Sequence, residues 1–299
     1  MIEILLASYK GDAHILEQVV SIKKQTGVET CLLISDDYDV QKTEQMLYQH
    51  KDKVTIVKGP QKGVNSNFLH LIHLAHSSNN FFAYADQDDV WLKNKLSSAE
   101  YALKCCSNPI NAYMGRTIVC DKNLQKLFLS KGKPRPAHFK NALIESIAGG
   151  NTMMFNNGTL SLLKKIQRPM HHDWLTYMTV TACGGMVVFD DTPYVLYRQH
   201  DNNLIGANRG IKAKWQRFKK LLNNEFYQWT TNNIKSLNTI RAEMTLENGR
   251  TFDDFIRMHE MNGWYLCFHR LHLFIRLGLY RQKRSEHIGF MLAAFLGKI

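Results

Sequence analysis

Four short apolar runs punctuate the first 90 residues, and the stretches between them carry apolar positions every three or four residues. IEILLASY, ETCLLIS, VTIVKG and FFAYA are rich in β-branched, aromatic and leucine side chains, which predicts strands. The intervening spacing predicts helices over about residues 12 to 25, 40 to 50 and 65 to 77. This βαβα order predicts an α/β fold, a mostly parallel sheet with helices on both faces. Such sheets bind ligands beyond the carboxyl ends of their strands. Ser8 and Tyr9 follow the first strand, Asp36 and Asp37 the second, and Asp86, Gln87, Asp88 and Asp89 the fourth. Two acidic clusters are therefore expected to meet on one edge.

The run FFAYADQDDVWLKNKL drives five apolar or aromatic residues into three carboxylates. Like charges so close repel one another, and each costs desolvation wherever it is partly buried. A bound cation is the usual compensation. The plainer expectation is that Asp89 caps a helix running from Val90 to about Cys106 while the other carboxylates are solvated. Capping accounts for one aspartate of the three.

Composition narrows the class. With 299 residues, 44% of them hydrophobic, the chain can bury a full core as one large domain or one domain plus an appendage. Its start, MIEILLASYKG, has no basic region before the apolar run and no room for a signal peptide, so a cytoplasmic location is expected. Cys31, Cys105, Cys106, Cys120, Cys183 and Cys267 form no CxxC pair, which predicts reduced, buried thiols rather than zinc ligands or disulfides. His70, His73 and His76 fall on one helix, but no cysteine or fourth ligand completes a zinc set. Net charge is +12, and residues 211–299 carry 15 Lys or Arg against 7 Asp or Glu. With no repeat or low-complexity linker, that shift puts a boundary near Arg209-Gly210.

LLASYKG at the first strand, ISDDYD at the second, GVNSNF at 63–68, YADQDDVWLKNKL, HHDW at 171–174 and YRQHDNN at 197–203 occur in that order. Together they resemble family-two inverting GT-A glycosyltransferases, above all bacterial rhamnosyltransferases of cell-surface polysaccharide assembly. The likeness covers roughly residues 2 to 208. It implies a GT-A, Rossmann-like sheet over residues 1–210, with nucleotide-sugar binding in about 1–120 and acceptor and catalytic parts in about 121–210. Residues 211–299 would form a helical, basic extension.

By this resemblance Asp88 is the metal-binding second aspartate of a DxD motif and Asp86 the first, serving the ribose or the metal through water. Their hard oxygens suit Mn²⁺ or Mg²⁺. Ser8, Tyr9 and Gln87 fall among the donor-binding positions, and Asp36 or Asp37 would accept hydrogen bonds from base and ribose. The run DDYD departs from the family's DDGSTD, leaving open which aspartate does which. Asn67 matches an asparagine near the nucleotide, its alternative being a helix-start residue. Asp173 is the candidate base that takes the acceptor proton, with a helix cap as its alternative. Trp174 would pack beneath the site or against a sugar face, and Gly149 and Gly150 in AGGNTMMF would let a sugar approach or simply form a turn. Arg198 and His200 would meet the diphosphate or the metal, the resemblance favouring His200.

The partners implied are a dTDP- or UDP-sugar donor and a glycan or lipid-linked acceptor. In the tail, AKWQRFKKLLNNEFYQW and WYLCFHRLHLFIRLGLYRQKR mix aromatic and basic residues at helical spacing, as in segments lying on a bilayer. IGFMLAAFLG is too short to span one. Peripheral attachment to an anionic membrane is one reading, and packing on the catalytic domain or in a homodimer the other. A sugar-nucleotide nucleotidyltransferase would need a glycine-rich basic loop near the start, and LLASYKGDAH is poor in glycine. A nucleic-acid-binding module would use the tail but leave the acidic pocket unexplained, so no nucleic-acid partner is expected.

Overall fold

The computed structural model describes residues 1–11, 14–133, 135–199, 224–261 and 263–299. The predicted first half forms in order: β1 (Ile2–Ser8), α1 (Ile15–Lys23), β2 (Thr30–Asp36), α2 (Val40–Met46), β3 (Val54–Lys58), α3 (Val64–Leu74) and β4 (Phe81–Asp86). The four strands pair in parallel in the order β3-β2-β1-β4. Helical crossovers permit this geometry and hairpins do not. Register sets Ser8 opposite Asp36 and Ala7 opposite Asp86, so the acidic clusters do meet at one carboxyl edge.

The chain continues through β5 (Val90–Trp91), α4 (Lys95–Lys104), β6 (Asn111–Cys120), β7 (Lys126–Leu129), α5 (Phe139–Ala142), β8 (Met154–Asn156), α6 (Asn157–Leu163), α7 (His172–Ala182) and β9 (Met186–Arg198). Among the described residues these complete a nine-stranded sheet, in which β4 is followed by β8, β6, β9 and β5 while β7 pairs with β6. β8 runs antiparallel to both β4 and β6, and β9 runs parallel to β6. The helix expected from Val90 does not start there. Val90 and Trp91 pair with Leu196 and Val195 of β9, and the Trp91 N–H donates to Ser21 Oγ, so a distant strand claims both residues. Asp89 consequently caps nothing; Asn94 precedes α4.

Period two along the strands builds two apolar layers. Ile2, Ile4 and Leu6 pack with Ile15, Val19 and Ile22 of α1 and Leu96, Ala99 and Leu103 of α4. Leu5 and Ala7 point the other way, toward Phe68, Leu71 and Ile72 of α3 and Trp174 of α7. Each such fully buried aliphatic or aromatic side chain is worth about 1.5 to 3 kcal/mol. All seven positions of β1 are buried, as a strand covered on both faces requires.

The C-terminal region is helical: α8 (Glu225–Leu237), α9 (Leu246–Glu260), α10 (Cys267–Arg276) and α11 (Arg284–Phe295). Phe252, Phe255, Phe274 and Phe290 share one apolar cluster with Leu5, Phe68 and Trp174. These helices pack on the sheet layer, as one of the readings of the tail expected. The boundary at Arg209-Gly210 lies outside the described residues. No helix among the described residues is long and apolar enough to cross a membrane. All six cysteines are free thiols, as expected; Cys120 is buried, Cys105 is exposed and the other four are half-buried.

Candidate active site

The site grows from the carboxyl ends of β1 and β4. Gln87 locks the two ends together: its Oε1 accepts the Tyr9 N–H at 2.8 Å and its Nε2 donates to the Tyr9 carbonyl at 3.0 Å. The Tyr9 ring stays exposed, set edge-on to Tyr38 at 5.9 Å between centroids. Lys10 Nζ lies 5.2 and 5.1 Å from the two ring centres. An aromatic, cationic lip therefore borders the edge.

Three carboxylates share the floor. Burial first, then the charges of Asp88 and Asp173, push the Asp86 carboxyl up to about 7. Asp173 comes from the first turn of α7, more than 80 residues away in sequence, yet it reaches this field. Its Oδ1 accepts the Trp174 N–H at 2.7 Å, and burial raises its pKa against that bond. The residue preceding the helix is His171, so Asp173 is not the N-cap. Among the described residues no cationic side chain pairs with Asp86.

Asp89 points inward, fully buried, and accepts a short hydrogen bond from Asn151 Nδ2. Burial and the neighbouring Asp86 and Asp88 charges hold its carboxyl well above the usual range. Lys95 is buried nearby with Nζ 3.6 Å from the centre of the Trp91 ring, and burial lowers it to about 7. Asn151 follows Gly149 and Gly150. A Cβ on Gly150 would sit 2.0 Å from His172 Nε2, so only glycine fits against that imidazole. His172 stacks on Phe68 at 3.6 Å and meets the Tyr84 edge at 4.7 Å, and burial holds it neutral with a pKa of about 3.

The nucleotide side is organised by β2. Asp36 is spent internally: Oδ1 accepts the N–H groups of Tyr38 and Asp39, and Oδ2 accepts the hydroxyls of Ser8 and Thr43. Ser8 and Asp36, both expected among the donor-binding positions, satisfy each other and are buried. Asp37 is the remaining acid, its Oδ1 accepting the Gln61 N–H at 2.9 Å. A Cβ on Gly59 would lie 2.2 Å from that oxygen. Asn67 sits inside α3, not at its start, and its Nδ2 donates to the carbonyls of Ser8 and Ser35. It ties β1 to β2, while its Oδ1 is buried without a partner.

A family model described as "Glycosyl transferase family 2" matches residues 4–158. The chain belongs to that family. It is also 27% identical to the dTDP-rhamnosyl transferase RfbG of Shigella flexneri, over 97% of this chain and 99% of that protein. Among solved structures, S. aureus TarS 1-349 in complex with UDP aligns with 99% of this chain and 87% of its own, at 12% identity and a TM-score of 0.59. The same protein with UDP-GlcNAc aligns at 12% identity and a TM-score of 0.56, over 99% of this chain and 90% of its own. At that identity the likeness establishes the fold alone, which is GT-A.

As a family 2 glycosyltransferase the chain binds a nucleotide-sugar donor, and its family commonly uses a divalent metal. Among the described residues no three His, Cys, Asp or Glu side chains form a ready metal cage. The histidine trio expected not to bind zinc is divided: His73 Nε2 meets the Ile166 carbonyl, and His76 Nδ1 meets Glu3. His200 lies outside the described residues.

Arg198, expected at the diphosphate or the metal, makes several hydrogen bonds within the protein. It is buried at the end of β9, where Nε donates to the Asp88 carbonyl at 3.0 Å, one terminal nitrogen to the Lys122 carbonyl at 2.9 Å, and the other to the Glu17 carboxylate. Its guanidinium grips the loop that carries the acids from behind. Trp174 is likewise buried, with Nε1 donating to the Ala142 carbonyl and the ring 5.8 Å from Phe226 of α8. Gly149 is exposed and Gly150 is buried against His172.

Sequence reasoning passed over Asn151, Glu17, His172 and Lys95. Asn151 alone carried a signal, a polar residue between two glycines and an apolar run.

Proposed function

We propose that this glycosyltransferase moves L-rhamnose from dTDP-rhamnose to a growing, lipid-linked surface polysaccharide, inverting the anomeric carbon. The near-full-length likeness to a protein named as a dTDP-rhamnosyl transferase supports the sugar. The observation that carries the chemistry is the shared field of Asp86, Asp88 and Asp173 at the ends of β4 and α7. Asp37 holds the base or ribose, and the exposed Tyr9 ring offers the base a flat apolar surface.

Asp173 takes the proton from the acceptor hydroxyl as that oxygen attacks the anomeric carbon and the diphosphate leaves from the opposite face. Its raised pKa makes it a stronger base than a free aspartate. Activity should therefore fall as pH drops through that raised value. The clustered carboxylates, with no cationic side chain on Asp86 among the described residues, fit a hard divalent cation. Asp88, with Asp86 directly or through water, would hold Mn²⁺ or Mg²⁺. When bound, such an ion offsets charge on the leaving diphosphate. A lipid-linked acceptor sets this work at the inner face of the cell membrane.

Nucleotide release and product formation with dTDP-rhamnose, UDP-glucose, UDP-galactose and UDP-N-acetylglucosamine, each with lipid-linked acceptor, test the reading. Asp173→Asn keeps the shape and should slow the chemical step about 10²- to 10⁴-fold while donor affinity holds. Wild-type turnover in Asp173→Asn, or a product with retained configuration, would remove Asp173 as the base. Preference for a UDP-sugar would remove rhamnose.

A further inference from the structure

The hairpin of α10 and α11 packs with one side and leaves the other bare. Leu273, Phe274 and Leu277 face the core from the first helix, and Phe290, Ala293 and Ala294 from the second. The opposite side carries Phe268, Ile275, Ile288 and Leu292, all exposed, with Trp264 and Tyr265 just ahead of α10 at 86% and 70% exposure. Spacings of seven in α10 and four in α11 align these residues along the helices. The Phe268 and Phe295 rings meet edge-on at 5.3 Å, so the two stripes adjoin.

This side is rigid before anything covers it. Arg270, buried at the turn, donates to the carbonyls of Ala294, Phe295, Met261 and Gly263, stapling the start of α10 to the end of α11. Little ordering would be lost on docking.

Charge selects the occupant. Residues 263–299 contain six Lys or Arg and a single acid, Glu286. Arg281 pairs with Glu145 and Glu286, which leaves Glu286 little to offer an outside partner. Lys283 and Arg284 stand exposed at the head of α11, beside Ile288, and His269 and His272 are exposed on α10, where Arg276 is paired with Asp254 of α9 at 3.1 Å. A second copy of the chain would bring cations against cations. An anionic bilayer meets every feature at once: aliphatic and aromatic side chains for the acyl boundary, Trp and Tyr for the headgroup level, and basic residues for lipid phosphates.

We propose that the outer side of the α10–α11 hairpin is a docking surface for an anionic phospholipid membrane. The proposal goes beyond sugar transfer and does not depend on the donor or the base. Its test uses the full chain and vesicles of phosphatidylcholine alone or with about one part in three phosphatidylglycerol, read by co-sedimentation. The wild type should sediment with the anionic vesicles and be released by salt. Lys283→Gln with Arg284→Gln should weaken partitioning about 10- to 30-fold, as two lost lipid-facing cations imply. Trp264→Ser, Phe268→Ser and Ile288→Ser together should weaken it about 100-fold or more, since apolar burial drives insertion. All five positions are on the surface, and an unchanged unfolding midpoint checks folding; if the triple variant loses its fold, the charge pair decides alone. Transfer to a water-soluble acceptor should be unaffected, so failure here is separable from failure of the active-site reading. Equal sedimentation of wild type and variants overturns the proposal. So does a wild-type dimer that the triple substitution converts to monomer, which would assign the surface to a second copy.

Discussion

Replacing Arg198 separates two roles that one position in a glycosyltransferase site can have. The guanidinium donates to the carbonyls of Asp88 and Lys122 and to the Glu17 carboxylate, and the side chain is 5% exposed. Hydrogen bonds involving a charged partner contribute about 1.5 to 3 kcal/mol each, so Arg198→Met should destabilise by about 3 to 5 kcal/mol once carbonyl rehydration offsets part of the loss. Glu17 is 48% exposed and regains water readily, so the two carbonyls make up most of that cost. Lysine offers one ammonium in place of a planar fork and cannot reach three acceptors in three directions. Arg198→Lys should lose about half as much. Because one acceptor is the backbone of Asp88, both variants should also raise the metal concentration needed for half-maximal activity and raise KM for the donor more than they lower kcat. Urea unfolding gives the stability, and metal titration of initial rates gives the rest. If stability and metal dependence are unchanged while kcat falls, Arg198 touches the reacting diphosphate and the clamp is wrong.

Lys95→Met should stabilise the protein near neutral pH by up to a few kcal/mol, the gain shrinking as pH rises toward 10.5. The sign follows from the lowered folded-state pKa of about 7: between that value and 10.5 the unfolded chain binds more protons, so wild-type stability rises with pH across this window. Urea midpoints at the two ends of the window measure it, and a destabilised Lys95→Met at neutral pH would mean that the ammonium is charged and serves Asp89. Removing residues 224–299 should leave a chain that does not fold, because Phe252, Phe255, Phe274 and Phe290 belong to the cluster that holds Phe68 and Trp174. A cooperative unfolding transition in the truncated chain would refute that dependence.

The parallel half and its acidic edge were legible because short-range rules govern them. Apolar runs of strand length, separated by helical spacing, leave one topology, and the parallel register then brings Ser8, Asp36 and Asp86 to one level. Asp173 was legible only through the resemblance. What failed was pairing over distance. Asp89 reads as a cap because nothing local shows that β9 claims Val90 and Trp91 or that Asn151 serves its carboxylate. Asp36 and Asp37 look alike in sequence, and they part only when Ser8 and Thr43 fold onto the first and saturate it. Arg198 shows the same limit: a cation beside a phosphate site suggests a ligand, and nothing local shows the acceptors that α1, the Asp86 to Asp89 loop and the turn after β6 bring to it. In the tail, amphipathic spacing gave helices without saying which side meets the sheet and which meets solvent.

The position of Asp173 explains why a charged site shares its core with the C-terminal helices. Burial, then the charges of Asp88 and Asp173, raise Asp86 to about 7, and burial raises Asp173 as well, so holding these acids together is costly. The indole of Trp174, the next residue, is held by the Ala142 carbonyl and packed on Phe226, which meets Phe290 of α11 edge-on at 4.6 Å. On the other side His171 meets Trp229 of α8 at 5.6 Å, and His172 is wedged between Phe68, Tyr84 and the bare Cα of Gly150. Contacts on both sides of Asp173 thus hold its buried carboxylate in place. With Asp173 in its proposed role as base, the helices α8 and α11 act on the chemistry by fixing where it stands, without a side chain of theirs having to reach the substrate.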